Sequence, residues 1–483
     1  MKRFSIFLLI VALLVSFTAI PATADISVIQ RKLVDAKEDN EILHEFENRL
    51  GFKINYTWKP AENYASQCAI VVASGDYPDM MEYWSSSYPV EITQMAEDGI
   101  IMPLNDLLEQ YGQNILSVFP KDQFLTTEDG KIWTVPSRNC EIGTDCLFII
   151  REDWLKNVGM TTPTTLDELY EVLVAFRDQD ANGNGDPTDE IPWGYAGSGV
   201  GTSSPLMLIS TAYDVLLGWN DVNGELVYYV EMPAFKEALR YMRKLYQEGL
   251  IEPEYTVLTR DTYMEKKNAN RIGVEGWWFT ELDPAVSSWS SDFFASNPGA
   301  SFDMIEWFEG PDGIRRFTAN LANISDVIFA DSENAAECIQ YLDYLVSAEG
   351  YDLTTMGIKD VHWSEEDGVI TRGTYSDAEG KEIGFNMHKW LCMRQYVPRS
   401  TDAHYMAFVE KNANAVVWQP TFSTEEKNEY WSELEEIFSN LRDKLITDPS
   451  IDFDAEFNNM VDTWKKNGGD LVTQSMNRVY QAQ

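Results

Sequence analysis

The chain has 483 residues, of which 78 are Asp or Glu and 37 are Lys or Arg, for a formal net charge of −41. A charge of that size and sign repels nucleic acid and anionic lipid and keeps a secreted chain soluble; it also argues mildly against a strongly anionic ligand unless a local basic pocket receives it. Five cysteines are too few for a disulfide scaffold, and the length supplies core for two or three domains.

Lys2 and Arg3 precede an apolar run over 6–15, and Ala22-Thr23-Ala24 offers a small-residue cleavage site. This predicts a secretory signal peptide over 1–24 and a mature chain beginning near Asp25. The run falls short of the ~20 apolar residues that span a bilayer, and no later segment is long and apolar enough. Removing Lys2 and Arg3 with the leader leaves 35 basic against 78 acidic residues, a net charge of −43. No cysteine follows the cleavage site, so lipid attachment there is not expected, and the product should be soluble outside the cytoplasm.

From 26 to 129 short apolar runs alternate with helical periodicity. Helices are expected over 40–50 and 64–73, and strands over 52–56 and 80–84, with Gly75 and Pro78 breaking the chain between. Pro103 opens a further helix that Gly112 closes. Alternation of this kind predicts an α/β layer with a mainly parallel sheet.

A strand-like run over 146–150 follows GKIWTVPSRN, and then comes REDWLKNVGM. Thr165-x-x-Glu168 is a capping box, after which Leu166, Leu169, Tyr170, Leu173 and Phe176 recur on one helical face. Next is DQDANGNGDPTDEIP, a loop crowded with oxygen donors. A hard cation needs six to eight oxygens at about 2.5 Å, which alternate residues of a loop can supply around a tight-turn glycine.

Two registers are open. The first takes Asp178, Asp180, Asn182, Asn184, Asp186 and Asp189, with Gly183 at the turn. The second takes Asp180, Asn182, Asn184, the Asp186 carbonyl and the Asp189–Glu190 pair, with Gly185 at the turn. Both suit calcium better than magnesium, which keeps more water. The competing reading is a metal-free polar turn. A regulatory EF-hand is disfavoured because there is one loop and IPWGYAGSGVG after it is no helix.

Met232-Pro233 opens a helix marked by Phe235, Leu239, Met242 and Tyr246, and Gly249 stops it. A short strand over 271–274 leads into Glu275-Gly276-Trp277-Trp278. A helix is expected over 335–347, a hairpin or surface loop over 361–382, and helices over 425–444 and 457–466. With no repeat and no low-complexity linker, two lobes joined by strands fit best. Cys140 and Cys146 are close enough to pair in an oxidising compartment, though buried thiols fit as well.

Eight stretches in one order carry a family resemblance: ASGDYPDMMEYW at Ala73, GIIMPLNDLLEQYG at Gly99, GKIWTVP at Gly130 and REDWLKNVGMTTPTTLDELYEVLVAF at Arg151, then DANGNGDPTDEIPWG at Asp180, LYQEGLIEPE at Leu245, RIGVEGWW at Arg271 and SAEGYDLTTMGIKDVHW at Ser347. Together they resemble the extracellular solute-binding proteins of ABC importers, in particular the large calcium-containing oligosaccharide-binding branch with its alginate-oligosaccharide binders and LipO-like lipoproteins. The resemblance implies a two-lobed periplasmic-binding-protein-like fold (type II), with the ligand cleft between lobes joined by crossover strands near Pro136 and after Gly273. Lobe 1 is then expected over 25–137 plus about 270–325, and lobe 2 over 138–269 plus about 326–483, the latter carrying the calcium loop 178–190. It favours the Asp180 register, so that Asp180, Asn182, Asn184, Asp186, Asp189 and Glu190 would hold a structural Ca2+. One extra residue before Asp189-Glu190 leaves open which of the two meets the ion. The lipobox cysteine common in Gram-positive members is missing, so how the protein is retained near its permease is open.

Sugars present apolar C–H faces and hydroxyls, so oligosaccharide clefts combine flat aromatic rings with a few polar groups. Trp84 at a predicted strand end, Trp277 and Trp278 where solute-binding proteins commonly place a ligand tryptophan, and Arg138 and Asn139 past the first crossover are the candidates. Neighbours on a strand face opposite ways, so one of Trp277 and Trp278 should face the cleft. Trp193, Trp363, Trp390 and Trp418 are secondary candidates, each more in keeping with a core.

A secreted glycoside hydrolase is the rival from another class, needing two carboxylates about 5–10 Å apart. The abundance of acids makes that geometry uninformative. There is no HExxH, GxSxG or P-loop, only His44, His362, His388 and His404, and GYAGSGVG lacks the Lys-Ser/Thr of a phosphate cradle. The expectation is a non-enzymatic, monomeric binding component that closes on an oligosaccharide and docks on an ABC permease, with a peptide or other non-sugar ligand as the alternative.

Overall fold

The computed structural model describes residues 25–32, 37–60, 63–84, 90–119, 124–127, 130–136, 147–197, 204–277, 291–319, 324–366, 369–373, 375–385, 387, 407–408, 411–412, 415–420, 422 and 424–482. In chain order the described strands are β1 (Ile26–Lys32), β2 (Ile54–Pro60), β3 (Met80–Trp84), β4 (Val135–Pro136), β5 (Leu147–Arg151), β6 (Ile191–Gly194), β7 (Trp219–Val222) and β8 (Glu225–Tyr228). They continue with β9 (Ile272–Trp277), β10 (Phe302–Ile305), β11 (Phe317–Ala319), β12 (Ile324–Ile328), β13 (Trp363–Glu366), β14 (Val369–Arg372) and β15 (Val416–Trp418).

Two larger sheets organise the chain. The first has the order β2-β1-β3-β12-β4, and the second β10-β5-β9-β6. In the first, β1 is parallel to β2 and β3, and β12 runs antiparallel to β3 and β4. Met80, Met81, Glu82 and Tyr83 are all buried, as befits a central strand covered on both faces. One face packs Val28, Ile54, Met80 and Ile328 on the helices Glu41–Leu50 and Ala335–Val346. The other packs Met81, Tyr83 and Val327 on Tyr64–Ser74 and Val90–Glu97.

The second sheet has its own core, in which Phe148, Ile150, Trp193, Val274 and Ile305 meet the helices Leu166–Asp178, Pro233–Gln247 and Glu425–Thr447. Its hydrophobic cluster contains no residue of the first sheet among those described. The α/β character is as the alternating pattern predicts and the two bodies as the resemblance implies, but while β1, β2 and β3 run parallel, β5 is antiparallel to both of its neighbours in the second sheet. Gly273 is where the Leu166–Asp178 helix comes closest to β9: a Cβ there would lie 2.5 Å from the Phe176 ring.

Local signals held, with shifts. Thr165 accepts from the Glu168 N–H at 3.2 Å, but the Glu168 carboxylate turns back to Thr164, taking its N–H and hydroxyl at 2.8 Å. Pro233 opens its helix as expected, yet Leu245 and not Tyr246 completes the buried stripe. Tyr246 instead donates to the Pro253 carbonyl at 3.0 Å. The stretch over 361–382 is the β13–β14 hairpin followed by a helix, Asp377–Ile383.

The expected division of the chain is corrected in two places. β9, assigned to the first lobe with 270–325, pairs with β5 on one side and β6 on the other, so it is central to the second sheet. The stretch after 326, assigned to the second lobe, instead supplies β12 and the Ala335–Val346 helix to the first sheet. The second crossover therefore lies between Ala319 and Ile324, not after Gly273. A short apolar strand carries no mark of which sheet will pair with it. The chain passes between the bodies a third time between Met387, held by Asn40, and Phe408, which lies beside Met304.

Candidate functional site

Strand direction locates the gap between the bodies. β1, β2 and β3 end on one edge of the first sheet, and β4, antiparallel to β12 as β3 is, ends there too. In the second sheet β6 and β9 end on the edge where antiparallel β5 begins. Ten residues, 137–146, join the first edge at Pro136 to the second at Leu147, and the eleven steps between those two reach at most about 40 Å. Ala319 and Ile324 are five steps apart, about 18 Å at full stretch. Open α/β sheets take ligands outside the carboxyl ends of their strands. Both edges present such ends.

Trp84 stands on the first edge as the cross-strand partner of Ile324. Its half-buried ring lies 5.0 Å from the Arg31 guanidinium, which also lies 5.8 Å from Tyr64. Arg31 pairs with Glu82 at 3.1 Å, both buried, and Tyr64 donates to the Glu82 carbonyl at 2.6 Å. Burial and the Glu82 charge push the Tyr64 pKa far above its usual range, which keeps the hydroxyl a donor. A cation held under an indole fixes the ring by charge–quadrupole attraction. Arg31 and Glu82 escaped the sequence reading because single charged residues in strands resemble solvated ones, and Tyr64 because it reads as an ordinary first residue of its helix.

On the second edge Trp277 closes β9 opposite Leu147, while its side chain lies outside the described residues. Behind it Glu275 is buried, bound by Lys267 at 2.9 Å and by the Tyr263 hydroxyl at 2.7 Å. Tyr195, just past β6, stacks on Tyr255 with centroids 5.2 Å apart. A crevice of about 520 Å³ has walls from both bodies, Thr126, Thr127 and Gly130 facing Phe422, Arg478, Val479 and Ala482.

The other tryptophans fall elsewhere. Trp193 is 0 % exposed and sits edge-on to Phe148 in the second core. Trp363 is buried, donating its indole N–H to the Gly357 carbonyl at 2.9 Å. Neither ring has a face open to a ligand here. Trp418 is placed by its backbone in β15 opposite Ala319, and its side chain is outside the described residues. Arg138, Asn139, Trp278 and Trp390, with Cys140 and Cys146, also lie outside the described residues.

The oxygen-rich loop is ordered around its asparagines. Gly183 and Gly185 take left-handed backbone, φ 72 and 90, which a side chain would resist. The Asn182 and Asn184 oxygens accept the N–H groups two residues on, at 2.9 and 2.7 Å. Their amide nitrogens both donate to Asp189, at 2.9 and 3.1 Å. Asp178 points away and pairs with Arg177 at 2.7 Å. Asp180 Oδ1 and Glu190 Oε2 are buried with no hydrogen-bond partner, and desolvation raises the Glu190 pKa. Among the described residues no three His, Cys, Asp or Glu side chains gather to hold a metal. A cation here would rest on two carboxylates supplemented by amide and main-chain oxygens, a donor set that fits a hard ion. Asn270 and Arg271, at the start of β9, bind the Asn182 and Asp189 carbonyls at 3.4 and 2.8 Å.

A sequence profile described as bacterial extracellular solute-binding protein matches residues 31–352. The chain is 25% identical over 463 residues to "Lipoprotein LipO" of Bacillus subtilis (strain 168), covering 91% of this chain and 88% of that one. It is 28% identical over 295 residues to "Fructooligosaccharide ABC transporter substrate-binding protein FusA" of Streptococcus pneumoniae serotype 4 (strain ATCC BAA-334 / TIGR4), covering 57% and 52%. The structure of FusA in complex with kestose shares the fold, with TM-score 0.68 at 19% identity over 95% of this chain and 99% of that one. So does alginate-binding protein AlgQ2 without calcium ion, with TM-score 0.66 at 18% identity over 95% and 98%.

Proposed function

The chain belongs to the bacterial extracellular solute-binding proteins, and from that premise we propose that it captures an oligosaccharide between its two lobes and delivers it to the membrane subunits of an ABC importer. As a member of that family it binds its solute and does not transform it. The observation that supports the reading is Trp84, a half-buried ring at the end of β3, backed by a buried ion pair and paired with Ile324 where the chain enters the first sheet. A flat indole offers a sugar's C–H face a dry surface, and polar groups beside it select the hydroxyls. Trp277 and the uncharted Trp278, Arg138 and Asn139 would complete the contacts from the other side.

Closure follows if the ligand touches both lobes, because it then binds the closed form better than the open one. No helix among the described residues is long and apolar enough to cross a membrane. Residues 1–24 are read as a cleaved leader, and the closed complex would dock on a permease.

The loop would hold calcium through Asp180, Asn182, Asn184, the Asp186 carbonyl and Glu190, with Asp189 beside it. Its two unpartnered carboxylate oxygens and the engagement of Asp178 with Arg177 support that register. Bound there, the ion supplies charge neutralisation to the loop and braces it against β9.

A thermal-shift screen against an oligosaccharide panel, with tryptophan fluorescence on the hits, tests the function. A saccharide should raise the melting temperature and change the emission without being consumed. Chromatographic detection of hydrolysed product at catalytic protein concentrations would sink it.

A further inference from the structure

The sequence holds four Asn-Gly pairs, at 182–183, 184–185, 223–224 and 467–468. Glycine leaves the backbone nitrogen after an asparagine unshielded, so that nitrogen can attack the asparagine side-chain carbonyl and close a five-membered imide. Three features speed the closure: a carbonyl folded over its own downstream nitrogen, a base on that nitrogen's hydrogen, and a donor to the oxygen where charge develops. The four pairs differ in which of these they possess.

Asn184–Gly185 has all three. Asn184 Oδ1 accepts the Asp186 N–H at 2.7 Å. That bond closes a small ring containing both the side-chain carbon and the Gly185 nitrogen, which holds electrophile and nucleophile together. The same N–H stays on the oxygen as it becomes charged. The Gly185 N–H donates to Asp180 Oδ2 at 2.9 Å, within the reach of a general base. The amide nitrogen that must leave is oriented by Asp189, at 3.1 and 3.2 Å. Asn184 and Gly185 are exposed, and the place a Cβ would take at Gly185 has no other atom within 4 Å, so imide and water have room.

The other pairs lack a part. Asn182 makes the same turn, its Oδ1 taking the Asn184 N–H at 2.9 Å, but among the described residues no carboxylate accepts the Gly183 N–H. Gly224 does donate to a carboxylate, Asp221 at 2.7 Å, yet Asn223 stands in left-handed backbone (φ 58) and among the described residues its side chain takes no downstream N–H. Asn467 gives its amide to the Thr463 carbonyl at 2.7 Å, and Gly468 is buried against Tyr430.

We propose that Asn184 converts itself through this constellation into aspartate and isoaspartate. Asp180 takes the Gly185 proton as the nitrogen bonds to the Asn184 side-chain carbon; the bond from that carbon to Nδ2 breaks, and ammonia leaves with the proton. Water then opens the imide at either carbonyl, so the net change is amide plus water to acid plus ammonia. The product adds a negative charge beside Asp180, Asp186, Asp189 and Glu190. A cation engaging Asp180 withdraws the base, so a loaded loop is protected and an empty one ages. That last step rests on the calcium reading; the cyclisation does not.

Peptide mass spectrometry of the full mature chain, incubated at neutral pH with a chelator, tests this. Exchange of NH for O should appear at Asn184 about tenfold or more ahead of the other three sites, and the lead should vanish in urea, where no fold aligns the base. Asp180→Asn keeps an acceptor for the Gly185 N–H without its basicity and should slow Asn184 by about 100-fold, with Asn182 unchanged. The ranking of the four sites in the wild type needs no variant. Earlier conversion at Asn182 or Asn223, a lead that persists in urea, or an unchanged Asn184 rate in Asp180→Asn overturns the proposal. Added calcium should slow Asn184 alone; no effect leaves the cyclisation standing and removes the ion from Asp180.

Discussion

Arg31, Glu82 and Trp84 form a unit in which each residue sets the state of the next. The pair is too deep for solvent to screen, so removing one charge leaves the other without its buried partner. Glu82→Gln is expected to lose about 3–5 kcal/mol in urea unfolding. A loss under about 1 kcal/mol would mean the pair behaves as a surface bridge. Lys427 offers a pH test at the same scale. Burial lowers its pKa from 10.5 to about 8, so between those values the unfolded chain binds more protons than the folded one. Stability therefore rises with pH across that window, with the penalty complete below about pH 8 and gone above about pH 10.5. Relative to Lys427→Met, the wild type should gain stability between about pH 7.5 and about pH 9.5; parallel curves would show that the amine is solvated.

Among the described elements, β9 links the oxygen-rich loop to the second core. Its start is tied to the oxygen-rich loop by Asn270 and Arg271, its middle lies under Phe176 at Gly273, and it ends at Trp277 opposite the first residue of β5. An ion in the loop should thus stabilise the second lobe at large. At an ion concentration a hundred times Kd the gain is about 2.7 kcal/mol, so a chelator should lower the melting temperature and added calcium restore it. Glu190→Gln should abolish that response. An identical melting curve with and without chelator would remove the metal. The helices were legible because each carries its own signals: Thr165 and Pro233 start theirs, and Phe176 and Phe235 mark buried faces. Stripe edges were less so, since Tyr246 and Leu245 differ in burial through neighbours that periodicity does not name.

The described residues form two bodies, with three passages of chain between them. If the lobes close on ligand, the radius of gyration from solution scattering should fall when a saccharide identified by calorimetry is added. Proven binding with an unchanged radius would mean that the cleft is already closed or does not move. Alternation of strands and helices and the oxygen-rich loop were present in the sequence itself, because each depends on residues near in the chain. Which sheet receives β9 and β12, which indoles are buried, and which charges are buried in pairs were decided only by tertiary structure. Those outcomes depend on partners brought together from distant segments, as Trp431 meets Trp219 and Tyr228 from far upstream. Local spacing encodes an element; only packing of elements decides what each surface meets.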